Sequence, residues 1–233
     1  MSSPSPPRPS RWPAAPGRSS MRCDHEAGGD DAAVTDPGRN WRSWKERIFG
    51  TDHMIWHDGL RTDGVAGLRG EPRAQAIAML RLGVSLGDSH AGQALAAMGE
   101  ADEAAAIREQ MPRASGDERV RLALAVHRLR PDPALARELV AVLRSRQPLS
   151  TRIDAAIGLR FFGGADDEAA LLDAVGDIDY LVRYHACESL LARWGFDQPE
   201  IARQPEIFPL ICGDHDAARH AEARALLERL KAR

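Results

Sequence analysis

Residues 181–194 read LVRYHACESLLARW. Val182, Ala186, Cys187, Leu190 and Leu191 are spaced three and four apart, so a helix carries them on one face. Small side chains in the middle of that face let a second helix approach closely. Arg152, in STRIDAAIGLRFF, stands 31 residues before Arg183, and Arg121, in RVRLALAVHRL, stands 31 before that. A third step of the same length reaches His90, in SHAGQALAAM. Four residues after each anchor sits a small side chain: Ala94, Ala125, Ala156, Cys187. A fixed period of this length marks a stacked repeat array.

Working outward, Asp88, Asp117, Ser150 and Asp179 each precede an amphipathic run as capping residues. Breakers follow the runs: Gly99, Arg130-Pro131, Gly163-Gly164 and Gly195. After the breakers come second periodic segments, ADEAAAIREQM, DPALARELVAVLRSR and ADDEAALLDAVG. The unit is helix, short turn, helix. One such pair cannot bury its own apolar face and must stack on the next.

The pattern V-R-x-x-A-x-x-x-L at Val182, Arg183, Ala186 and Leu190 resembles the HEAT-like repeats. So does Arg152, Ala155 and Leu159, with Thr151 in place of Val. The period of 31 is similar to the short bacterial form in phycobilin-lyase-type HEAT proteins. The resemblance covers about residues 71–233. The copy at His90 departs from it, with His for Arg and Gln93 at the usual apolar site, and reads as a terminal or degenerate repeat. The resemblance implies an all-α fold, an αα-solenoid (a HEAT-like superhelix), and a binding scaffold. In such repeats the Arg bridges to an acidic residue of a neighbouring unit. Exposed on the concave face, Arg121, Arg152 and Arg183 would instead form a ladder for a carboxylate- or phosphate-rich partner.

The chain divides into residues 1–39, 40–70 and 71–233. The first segment is rich in Pro, Ser, Gly, Arg and Asp and nearly lacks large apolar side chains. It cannot offset the entropy of ordering, so a disordered tail is expected. Met21 is a second candidate start of translation. Residues 40–70 hold three of the five tryptophans, Trp41, Trp44 and Trp56. They read as one or two capping helices over the open end of the array. The alternative is that some of these tryptophans anchor a partner, since Trp is enriched at binding hot spots. Residues 71–86 predict a helix with Ala76, Ile77, Leu80 and Val84 inward. Pro199, Pro205 and Pro209 leave the last unit with a short or displaced second helix, before a terminal helix in DHDAARHAEARALLERLKAR.

Composition narrows the function. The net charge of −3 argues against a nucleic-acid binder. Three cysteines do not make a disulfide framework, and Cys187 at a small core position is expected reduced, as in a cytoplasmic protein. No run approaches the roughly 20 apolar residues that span a bilayer. His53 and His57, beside Asp52 and Asp58, share a helical face, but Met54 replaces the Glu of a zinc-protease motif. Cys212, His215 and His220 give C-x2-H-x4-H spacing with only three ligands. Tyr180 at the helix entry, and Tyr184 and His185 flanking the apolar face, are groove candidates. No catalytic elbow, phosphate loop or cofactor motif occurs.

The expectation is a non-enzymatic scaffold without a cofactor, binding a protein or peptide on its concave face. Trp41, Trp44, Trp56, Arg121, Arg152, Arg183 and Tyr184 are its candidate contacts. The alternatives are a HEAT-like enzyme or chaperone, similar either to phycobilin lyases or to alkylpurine DNA glycosylases. The latter would pair Trp56 with Asp52 or Asp58.

Overall fold

The computed structural model describes residues 36–197 and 199–232, and among them every regular element is a helix. The expected tail up to residue 35, with Met21, lies outside the described residues. Helix α1 (Pro37–Phe49) begins inside the stretch expected to be disordered. The Asp36 carboxylate accepts from the Gly38 amide at 3.0 Å, and Pro37 fills the first turn. A capping Asp followed by Pro starts a helix whatever the composition around it. Helices α2 (Asp52–Asp58) and α3 (Asp63–Ala66) complete the N-terminal layer.

Helix α4 (Gly70–Ser85) turns Ala76, Leu80 and Val84 inward, while Ile77 is only half-buried. Its Gly83 is where α1 seats. A Cβ there would lie 2.6 Å from Trp41 Cζ2 and 2.7 Å from Ala91 Cβ. Gly83→Ala is therefore expected to lower stability by about 1–3 kcal/mol, the range for overpacking a tight core. The loss would be read as a lower urea midpoint at unchanged slope.

Four helix pairs follow. They are α5 (Ser89–Met98) with α6 (Ala104–Gln110), then α7 (Gly116–Leu129) with α8 (Ala136–Leu143). Next come α9 (Leu149–Gly158) with α10 (Ala165–Ala174), and α11 (Tyr180–Arg193) with the short α12 (Phe208–Ile211). Helix α13 (Ala217–Lys231) closes the described chain. The first helices pack in succession, α5 on α7, α7 on α9 and α9 on α11. The second helices fill the other side, with α8 against both α7 and α9. One apolar cluster runs from Trp41 to Leu227. Leu95, Leu139, Leu159, Leu171 and Leu190 are wholly enclosed in it, each contributing about 1.5–3 kcal/mol.

Two of the four expected caps hold their place: Asp88 and Asp179 are the N-cap residues of α5 and α11. Asp117 and Ser150 do not. Helix α7 starts behind Ser115, at Gly116 with its positive φ, and α9 starts behind Pro148. Helix α9 also ends before Gly163-Gly164, because residues Leu159–Phe161 tighten into a 3-10 turn.

Candidate binding groove

Burial fixes which residues of successive helix pairs correspond. Leu122, Ala123 and Val126 of α7 occupy the place of Ala155 and Ala156 of α9 with Leu159 just after it, and of Ala186, Cys187 and Leu190 of α11. The second step is the expected 31 residues, but the first is 33. The turns entering α9 and α11 are equally long, and the two extra residues arise because α7 is longer than α9 by four residues while α8 is shorter than α10 by two. Arg121 therefore corresponds to Asp154, not to Arg152. The arginine that matches Arg152 and Arg183 is Arg119.

The side chains agree with this register. Arg119 donates to the carbonyls of Ala114 at 3.1 Å and Met111 at 3.2 Å. Arg152 donates to Leu143 O at 3.4 Å and pairs with Asp177 and with Asp179, the latter at 2.8 Å. Arg183 donates to the carbonyls of Asp177, Ile178, Ile211 and Gly213, with Nε 2.9 Å from Ile211 O. Each arginine ties down the loop entering its helix. Arg183 is 1% exposed, so it is no partner contact. The guanidinium of Arg152 is likewise taken up by its two aspartates. The three-arginine ladder does not exist as one surface column, because Arg121 belongs to a different one.

The tryptophans also separate. Trp41 is buried, and its Nε1–H donates to Asp88 Oδ2 at 3.0 Å. Trp44 is half-buried, its ring 5.7 Å from that of Trp41 and 5.8 Å from that of Phe49. These two hold α1 on α4 and α5. Trp56 is 78% exposed. Tyr184 packs edge-on to Phe208 and against the core, half-buried, so it too serves the fold.

Asp88 is the joint between the N-terminal layer and the repeats. Beyond capping α5, it pairs with Lys45 at 2.9 Å. Burial alone would raise the Asp88 pKa, but bonds from His90, Lys45 and Trp41 outweigh it and hold the carboxyl well below the usual range. Burial likewise works against the Lys45 charge, and Asp88 and Asp52 together leave its pKa raised.

Between this layer and helices α5, α7 and α9 runs a groove of about 1290 Å³. Along its floor His90, Arg121 and Asp154 form one column, and Gln93, Leu124 and Ile157 the next. The same step of 31 beyond Asp154 and Ile157 leads to His185 and Glu188 on α11. Trp56 and Leu86 stand exposed on its walls. Its lining carries six carboxylates (Glu46, Asp52, Asp88, Asp117, Glu118, Asp154) against four bases (Arg42, Lys45, Arg121, Arg160), two negative charges in excess. Most of these are committed: Arg121 pairs with Asp117 and donates to Ser89 Oγ at 3.0 Å.

The metal candidates do not assemble. His53 and His57 are exposed, with ring centroids 6.4 Å apart, and His57 pairs with the adjacent Asp58 at 2.7 Å. Exposed Cys212 turns its Sγ to Pro209 O at 3.7 Å, while exposed His215 sits edge-on to His220. Among the described residues no three His, Cys, Asp or Glu side chains are placed to hold an ion. Cys187 is buried and unpaired, its thiol pKa pushed up by burial.

His220 of α13 is fully buried, and neither ring nitrogen has a hydrogen-bond partner. Burial lowers its pKa from 6.5, Arg183, His215 and Arg224 lower it further, and only Asp216 opposes them. The unfolded chain then binds a proton that the folded one rejects. The His220 contribution to stability is complete above pH 6.5 and is lost as pH falls below it. His220→Leu is expected to flatten the fall of melting temperature between pH 7.5 and 5 (a range from about one unit above to about one and a half below the ordinary His titration). An unchanged slope would place the acid sensitivity elsewhere.

Compared with family models, with curated proteins and with solved structures, the chain matches none. No helix among the described residues is long and apolar enough to cross a membrane.

Proposed function

We propose that the chain is an αα-solenoid of HEAT-like repeats, a cytoplasmic scaffold whose concave groove holds a segment of another protein and does no chemistry of its own. The observation that carries this is the groove. At about 1290 Å³ it exceeds the roughly 300–1000 Å³ of a small-molecule pocket. It follows three successive first helices, which is the surface that stacked helix pairs use for extended partners. Half of its ten charged groups pair with one another, as Lys45 with Asp88 and Arg121 with Asp117, rather than converging on a reacting atom. Exposed Trp56 on the wall supplies the large, rigid contact typical of a hot spot.

A DNA-glycosylase-like reading has one point in its favour: Trp56 and Asp52 line the groove together. The excess of carboxylates over bases opposes it, since a polyphosphate needs the reverse.

The test is affinity capture from host lysate with the full chain and with Trp56→Ala, followed by titration of the captured protein's binding segment. Trp56→Ala is expected to weaken that segment about tenfold or more at unchanged melting temperature. Equal binding by the variant, or retention of DNA or a tetrapyrrole in place of protein, overturns the reading.

A further inference from the structure

The groove's charges can be sorted by what each already satisfies. Lys45 is shared by Asp52 and Asp88, and Arg121 by Asp117 and Ser89. Arg160 donates to Ser189 Oγ at 3.3 Å, while its buried Nε has no hydrogen-bond partner. Exposed Arg42 donates to Gly38 O of its own helix. Asp154 makes no such contact at all. Its carboxylate faces the groove, and among the described residues it accepts no hydrogen bond and joins no ion pair. Arg121 is its neighbour in the column but is turned toward Asp117. Glu46 and Glu118 are also without a partner, so three carboxylates of the lining join no ion pair against two bases, Arg42 and Arg160. Next to Asp154, Leu124, Ile157 and the ring of Phe161 form the apolar part of the floor.

Resting on the reading of the groove as a protein-segment site, we infer that Asp154 receives the Arg or Lys side chain of a linear partner segment whose neighbouring apolar residue lies on Leu124 and Ile157. Asp154 is exposed on the groove floor, so water meets its carboxylate in the free chain, and a cation from a partner replaces that water with a charge-assisted bond. The walls of the concavity also raise the Asp154 pKa, with Arg121 opposing and Asp117 reinforcing that shift. Removing the charge leaves no internal bond broken, so Asp154→Asn retains the fold.

The test uses the full chain and a phage library of random dodecapeptides, with the selected peptides remade and titrated against the chain and Asp154→Asn. Selected peptides are expected to carry Arg or Lys beside Leu, Phe or Trp. Asp154→Asn should weaken them about tenfold, and Ala in place of the peptide's base should weaken them no further on that variant. Enriched peptides without a base, or equal affinity for Asp154→Asn, overturn the inference and leave the groove reading standing. No enrichment at all overturns both. Enriched peptides that match this chain's own sequence overturn the assignment to a separate partner.

Discussion

Arg183→Met is expected to lower the unfolding free energy by about 3–5 kcal/mol, read as a shift of the urea midpoint without loss of helical circular dichroism at low urea. The size follows from what the guanidinium does. It is fully enclosed and satisfies four main-chain carbonyls from two loops, the one entering α11 and the one leaving α12. Methionine fills the stem's volume but donates nothing, so those carbonyls lose their donors. Arg152→Met should cost less, about 1–2 kcal/mol, because its aspartates are partly solvated and can turn to water. A loss below about 1 kcal/mol for Arg183→Met would mean that the desolvation of the buried cation cancels its four bonds.

The second large effect concerns the tryptophans. Trp41→Ala is expected to destabilise the chain by about 3–5 kcal/mol. It empties the space against Gly83 and removes the indole bond to Asp88, the joint between α1 and the repeats. Trp56→Ala should change stability by less than about 0.5 kcal/mol, because most of its ring is already in water. Thermal melts of the two variants side by side decide the matter. Comparable losses would refute the separation of a structural tryptophan from a surface one.

The apolar phase of each first helix was legible directly. Val182, Ala186, Cys187 and Leu190 are all buried, as their spacing requires. The segment boundaries near Gly99 and Gly195 were equally plain, since a glycine after an apolar run admits the left-handed turn that ends a helix. The candidate site was less legible, and the error has a definite cause. Counting 31 residues from Arg152 lands on Arg121, two residues beyond the arginine that does the same work, Arg119. RVRLALAVHRL offers both within one turn, and only the neighbouring loop decides between them. Matching the enclosed pairs Leu122-Ala123, Ala155-Ala156 and Ala186-Cys187 instead of the arginines would have found the offset. It would also have put Asp154 beside Arg121. Trp41, Trp44 and Trp56 could not be told apart by type, because burial depends on what lies opposite, and Gly83 lies opposite Trp41.

The sequence by itself determined that this chain is built of amphipathic helices, and which face of most of them is apolar. Those are properties of spacing within one helix, and they persist whatever the helix packs against. The tertiary structure alone decided which arginines hold loops and which one faces the groove, which tryptophan is exposed, and that Asp154 stands there without a counter-ion. These depend on where each helix ends and on contacts between residues such as Trp41 and Asp88, 47 positions apart, which no local pattern encodes.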